Sequence, residues 1–136
     1  MATTLEEKKN ILNFVQNLSG TVRDQEWISN YDSENDSFAM RVPDLSKDSH
    51  KKYFNNEFAF YLNKKSEVEG IFIEYFVSNF VAHHKNFKAI AKKLKPKKEK
   101  SVIELKKSEV NKIAPGLESL LINSLIVNSN LQKLGS

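Results

Sequence analysis

The sequence predicts an α+β domain: a four-stranded antiparallel β-meander packed by flanking helices, with a C-terminal helical extension. Three observations point there. Apolar residues recur at helical spacing before Gly20, the period falls to two between Trp27 and Tyr75, and it returns to helical beyond Ser78. At 136 residues, with 40% hydrophobic and 28% charged side chains, the chain is long enough for one domain with a real core. The composition divides it into an α+β domain over residues 1–95 and a basic linker with a C-terminal helical segment over 96–136.

The first element is a helix over residues 5–18. Thr4 and Glu7 form a capping-box pattern; Leu5, Ile11, Leu12, Val15 and Leu18 share a face, and Gly20 supplies a stop. Trp27 and Tyr31 then occupy one side of a strand, and Phe38, Met40 and Val42 one side of its partner, with Pro43 ending it. Residues 44–56 read as a polar loop. A second hairpin follows, in which Phe58, Phe60 and Leu62 alternate with Ala59 and Tyr61, residues 63–67 turn, and Ile71, Ile73 and Tyr75 mark the return strand. Tyr61, Phe72 and Phe76 place apolar groups on the second face, which predicts that a helix or another subunit covers it.

Ser78 is the expected N-cap of a helix that runs to Leu94 and stops before Pro96. The stretch 101–105, SVIEL, reads either as a short helix with a Ser101/Glu104 capping box or as a strand. Pro115 and Gly116 punctuate the chain, and from Leu117 onward the apolar surface is broad enough for a core or a dimer interface.

Composition excludes several classes. The chain has no cysteine, so disulfide scaffolds, thiolate catalysis and cysteine zinc sites are out, in keeping with a reducing cytosol. The N-terminus lacks the basic and apolar regions of a signal peptide and no run reaches about 18 apolar residues, which predicts a cytoplasmic protein without membrane contact. The net charge of +4 is uneven: residues 1–84 carry −4, and residues 85–112 carry 11 Lys against 3 Glu. Four glycines make no phosphate-binding loop.

The acidic stretch 31–38, YDSENDSF, has Asp32, Glu34 and Asp36 at alternate positions. A calcium loop begun at Asp32 needs Gly at its sixth position and Glu at its twelfth, where this chain has Ser37 and Pro43. The stretch therefore reads as a hairpin turn, stabilised by local side-chain bonds to the backbone. His83 and His84 are adjacent and diverge by about 100° on a helix, so they do not grip one metal; the expectation is one ring packed beside Phe80 and Phe87 and the other in solvent. His50 lies in the polar loop, and the carboxylate pairs Glu67/Glu69 and Glu57/Glu74 read as charges on a solvent face. No cofactor or metal is expected.

The two hairpins together, YDSENDSFAMR and FAFYLNKKSEVEGIFIEYFVSN, resemble the small bacterial family catalogued as domain of unknown function 2283. The matching positions are Tyr31, Asp32, Glu34, Asp36, Arg41, Gly70, Ile71, Ile73 and Ser78, within residues 27–78. The chain departs from that pattern at Lys64, Lys65 and Ser66, where the family has Asp-Gly, and at Phe72, where it has an acid. The resemblance implies a compact β-meander without known catalysis, acting as a partner-binding module such as an antitoxin, with the acidic turn as a structural signature.

The function expected from the whole is non-enzymatic binding of another protein or of a second copy, as a homo-oligomer. Leu117, Leu121, Leu125 and Leu131 are the expected contacts. An alternative is nucleic-acid binding by Lys88, Lys92, Lys93, Lys97 and Lys98 in the 85–112 stretch, although no aromatic lies between Lys88 and Lys112 to stack a base. A hydrolase built on His50, His83 or His84 is a further rival.

Overall fold

A computed structural model of the protein describes residues 5–54, 58–94 and 102–127. Its class is α+β, and its sheet has six antiparallel strands in the order β3-β4-β5-β2-β1-β6. The strands are β1 Ile28–Asp32, β2 Ser37–Arg41, β3 His50–Tyr53, β4 Phe58–Leu62, β5 Val68–Ile73 and β6 Val102–Leu105. The expected four are β1, β2, β4 and β5, but β2 and β5 are neighbours, so the β1–β2 hairpin sits beside a β3–β4–β5 meander. Two strands are additions. β3 lies in the expected loop, because pairing with β4 uses backbone groups whatever the side chains are. β6 resolves the ambiguity of 101–105 in favour of a strand: Tyr31 pairs with Ile103 and Ser29 with Leu105, and Glu104 stands exposed rather than capping a helix.

Register aligns the buried positions into two rows across the strands. Phe58, Ile73, Phe38, Tyr31 and Ile103 form one; Lys52, Phe60, Ile71, Met40, Ser29 and Leu105 form the other. Period-two alternation puts both rows on the same face, and the helices pack there. α1 (Leu5–Gln16) buries Ile11, Phe14 and Val15, and Phe14 stacks on Trp27 with centroids 5.2 Å apart while meeting Phe60 edge-on. At the edge strand, Lys52 points inward and its Nζ lies 2.7 Å from the buried Glu7 of α1, so a charge offsets the exposed ladder edge.

Gly20 does not stop the helix. α1 ends at Gln16 and the chain re-enters helix as α2 (Leu18–Asp24), because Leu18 and Val22 still have to be buried. Glu118 holds this start by accepting the Ser19 N–H at 3.1 Å. Nor does Pro115 interrupt α5, which runs Lys107–Ile122 straight through it. Proline there forfeits one backbone bond, but Val110, Ile113, Ala114, Leu117 and Leu121 bury one stripe on both sides of it, and that burial carries the helix across.

The expected helix from Ser78 to Leu94 is broken. A π-helical turn (Phe76–Phe80) is followed by α3 (Val81–His83), a 3₁₀ turn (Lys85–Phe87) and α4 (Lys88–Lys93). The break falls at His84, whose backbone leaves the helical region with φ −131° and ψ 81°. This irregularity brings four phenylalanines into one series: Phe76 stacks on Phe38 at 4.6 Å and on Phe80 at 5.4 Å, and Phe87 lies tilted against Phe80 at 5.3 Å. Phe76, expected on the second face of the sheet, belongs to this stack and is 1% exposed.

Truncating the ring in the middle of the stack should therefore be costly. Phe76→Ala is expected to lower unfolding free energy by about 3–5 kcal/mol in urea denaturation, against under about 0.5 kcal/mol for Val77→Ala at the exposed neighbouring position. Equal costs would contradict the stack.

Candidate interaction surface

The other face of the sheet follows from the same register. One row is Lys51, Tyr61, Gly70, Arg41 and Ile28; the next is Tyr53, Ala59, Phe72, Ala39, Asn30 and Glu104. Beyond them lie Ser37, Asp32 and Val102, and Glu74, just past the end of β5, joins them through its bond from Tyr53. Among the described residues no helix packs on this face, since the ring contacts between helices and sheet all go to inward-facing side chains. Ile28, Ala39, Tyr61 and Phe72 are left half-buried, Tyr53 is 48% exposed and Val102 46%.

Gly70 shapes the middle of this face. A Cβ there would lie 2.8 Å from Tyr61 Cδ2, 2.9 Å from the Arg41 Cβ and 2.9 Å from the Met40 carbonyl. The missing side chain lets the Tyr61 ring lie across the strand, and burial raises the Tyr61 phenol pKa, opposed by the nearby Arg41 charge. Tyr61 meets Phe72 edge-on at 6.4 Å, and the Lys51 ammonium sits 3.9 Å above the Phe72 ring. Phe72 lies between two alanines in its row, so nothing large stands directly opposite it on β2 or β4. Tyr53 donates to Glu74 at 2.5 Å; burial and that bond push its phenol up to about 12. Arg41 donates to the Val42 and Pro43 carbonyls at 3.0 and 3.1 Å, with no carboxylate partner among the described residues.

The acidic turn borders this face and is built for structure. Asp32 accepts the Glu34 amide at 3.0 Å and the Asn35 side chain at 2.8 Å, which closes the turn. Asp36 adopts a left-handed φ of 50° and turns its carboxylate the other way. There it accepts the Tyr31 hydroxyl (2.6 Å), the Val77 amide (2.8 Å), and the Ser78 amide and hydroxyl (3.0 and 2.7 Å). Burial pushes the Asp36 carboxyl up, but the bonds from Ser78, Tyr31 and the two amides outweigh it and hold it below its ordinary value. Burial first, then the bond to Asp36, keeps the Tyr31 phenol protonated far above its normal range. The two aspartates are spent on different backbone segments. No group of three or more His, Cys, Asp or Glu suited to a metal occurs among the described residues.

The residues singled out by sequence separate. Leu117, Leu121 and Leu125 are at most 3% exposed, packed within the chain's own core, and Leu131 lies outside the described residues. Lys88 and Lys92 are exposed on α4; the Lys93 side chain, Lys97 and Lys98 fall outside the description. His84 packs on Phe80 at 4.5 Å and His83 is exposed, with its Nδ1 2.8 Å from the Asn79 carbonyl, the division expected for that pair. His50 is exposed beside the Asp48 carbonyl. Glu69 accepts from Ser46 and Asn63 and is thereby occupied in tying two loops together. Glu57 falls outside the described residues. Lys51 and Tyr53 lie in the stretch expected as a loop, and HKKY carries no apolar alternation that signals them. No helix among the described residues is long and apolar enough to cross a membrane. Comparison with family models, curated proteins and solved structures finds no match.

Asp36→Asn should expose the role of the turn. A carboxyl with a depressed folded pKa contributes stability that is present above its unfolded value, near 4, and lost as pH falls through the folded value. The wild type is expected to exceed the variant by roughly 1–2 kcal/mol at pH 7, and the gap to close in acid. A gap unchanged down to pH 2 would count against the assignment.

Proposed function

We propose that the chain is a non-enzymatic binding module that engages another protein, or a second copy of itself, through the open face of its sheet. The supporting observation is the Phe72 platform: a half-buried ring flanked by Ala39 and Ala59, held by Lys51 from above and Tyr61 from the side. Aromatic side chains already fixed in place lose little entropy on docking, which is the property of an interface anchor. The apolar C-terminal residues expected from sequence in this role are engaged internally at Leu117, Leu121 and Leu125. An antitoxin-like role would use such a surface.

A photoreactive benzoylphenylalanine in place of Phe72 tests this reading in the cell. Irradiation is expected to yield discrete protein adducts, which the same group placed at the exposed Lys9 of α1 does not give. Adducts absent at position 72, or equally abundant at position 9, would contradict it.

A further inference from the structure

Resting on the reading of the open face as a docking surface, we infer that its occupant is a second copy of this chain, stacked face to face about a two-fold axis. Charge on this face is sorted by sign. Take the row containing Phe72 as the midline. Two residues along the strands on one side, roughly 6.6 Å away, stand Arg41 and the backbone of Lys51, whose ammonium leans back over Phe72; a similar distance on the other side stand Glu74 and Asp32, flanking Ser37. None of these four charges has an ion-pair partner among the described residues.

A two-fold axis in the interface plane, running across the strands along the Phe72 row, reverses strand direction and keeps the strand order. Each chain's basic row then lies over its partner's acidic one. Arg41 on β2 lands over Ser37 on β2 of the second copy, between that copy's Glu74 and Asp32; Lys51, which lies over Phe72 in the single chain, swings toward the same acidic row, and the two Phe72 rings then meet near the axis. Sheets stacked this way sit about 10 Å apart, a gap that Phe72, Tyr61 and Ile28 from both copies can fill. The same surface therefore matches itself in shape and in sign, as an isologous contact requires. Six strands of four to six residues offer a face of roughly 25 by 15 Å. That is about 750 Å² over both copies, below the standard size of specific interfaces, so the dimer is expected to be weak, dissociating on the order of tens of micromolar.

Sedimentation equilibrium of the full chain is the test. The wild type is expected to move from monomer to dimer between roughly 1 and 100 μM, more weakly as salt rises. Arg41→Glu and Glu74→Arg should each weaken the dimer at least tenfold, because each sets like charges opposite one another. Mixed in equal amounts, they should recover dimer as a one-to-one hybrid, since both contacts in the hybrid join opposite charges; recovery also shows that both variants are folded. A wild type monomeric to about 1 mM, or a mixture no more dimeric than its parts, overturns the inference. If that happens while the position-72 crosslink still forms to a protein of a different mass, the docking face stands and only the second copy is excluded. If neither dimer nor adduct forms, both readings fall.

Discussion

The Asp36 carboxylate gathers four donors from two distant stretches of chain, and the rest of the core is arranged around that junction. The Asp36 carbonyl adds a fifth bond by accepting the Phe76 amide at 2.8 Å. Together these bonds fix the tip of the β1–β2 hairpin to the residues that leave β5. They also account for the left-handed φ of 49° at Tyr75, a conformation that costs a bulky residue energy and persists only when its surroundings enforce it. With Tyr75 turned outward, Phe76 enters the core and stacks on Phe38, and the aromatic series through Phe80 to Phe87 follows. Bonds to an ionised acceptor are stronger than neutral ones, which is why one short side chain can set the direction of the segment after it.

That junction also decides which face of the sheet is covered. Because the chain after β5 is drawn toward Tyr31 and Phe38, the segment 76–94 packs on the side already occupied by α1, α2 and α5. The opposite side keeps its own devices instead: Gly70 admits the Tyr61 ring, Lys51 covers Phe72, and Ala59 is fully buried beneath its neighbours. Half-buried aromatics clamped in place, and four charges arranged by sign with no ion-pair partner among the described residues, make a surface suited to a partner more than to water.

Much of this was legible in the sequence. Period-two alternation located β1, β2, β4 and β5, and the residue types in YDSENDSF placed the turn between the first two. Three features were not legible, each for a physical reason. β3 reads HKKY, and a strand held by backbone pairing at a sheet edge needs no apolar alternation to form. Pro115 signals a break, but a helix anchored by Ile113, Ala114 and Leu117 absorbs the loss of one bond. The apolar surface of Leu117, Leu121 and Leu125 has the same appearance in sequence whether it meets another subunit or the chain's own sheet and helices. The role of Asp36 was half visible: its residue type suits a turn, while its bonds to Val77 and Ser78 span more than forty residues.

The Asp36 junction can be read directly from the amide protons of Val77 and Ser78 in a two-dimensional NMR titration between pH 2 and 7. Both are expected to resonate far downfield at neutral pH and to move together in acid, with one midpoint below the ordinary aspartate value of about 3.9. Amides that stay still through the titration, or that move with a midpoint at or above that value, would show that the carboxylate does not hold this segment.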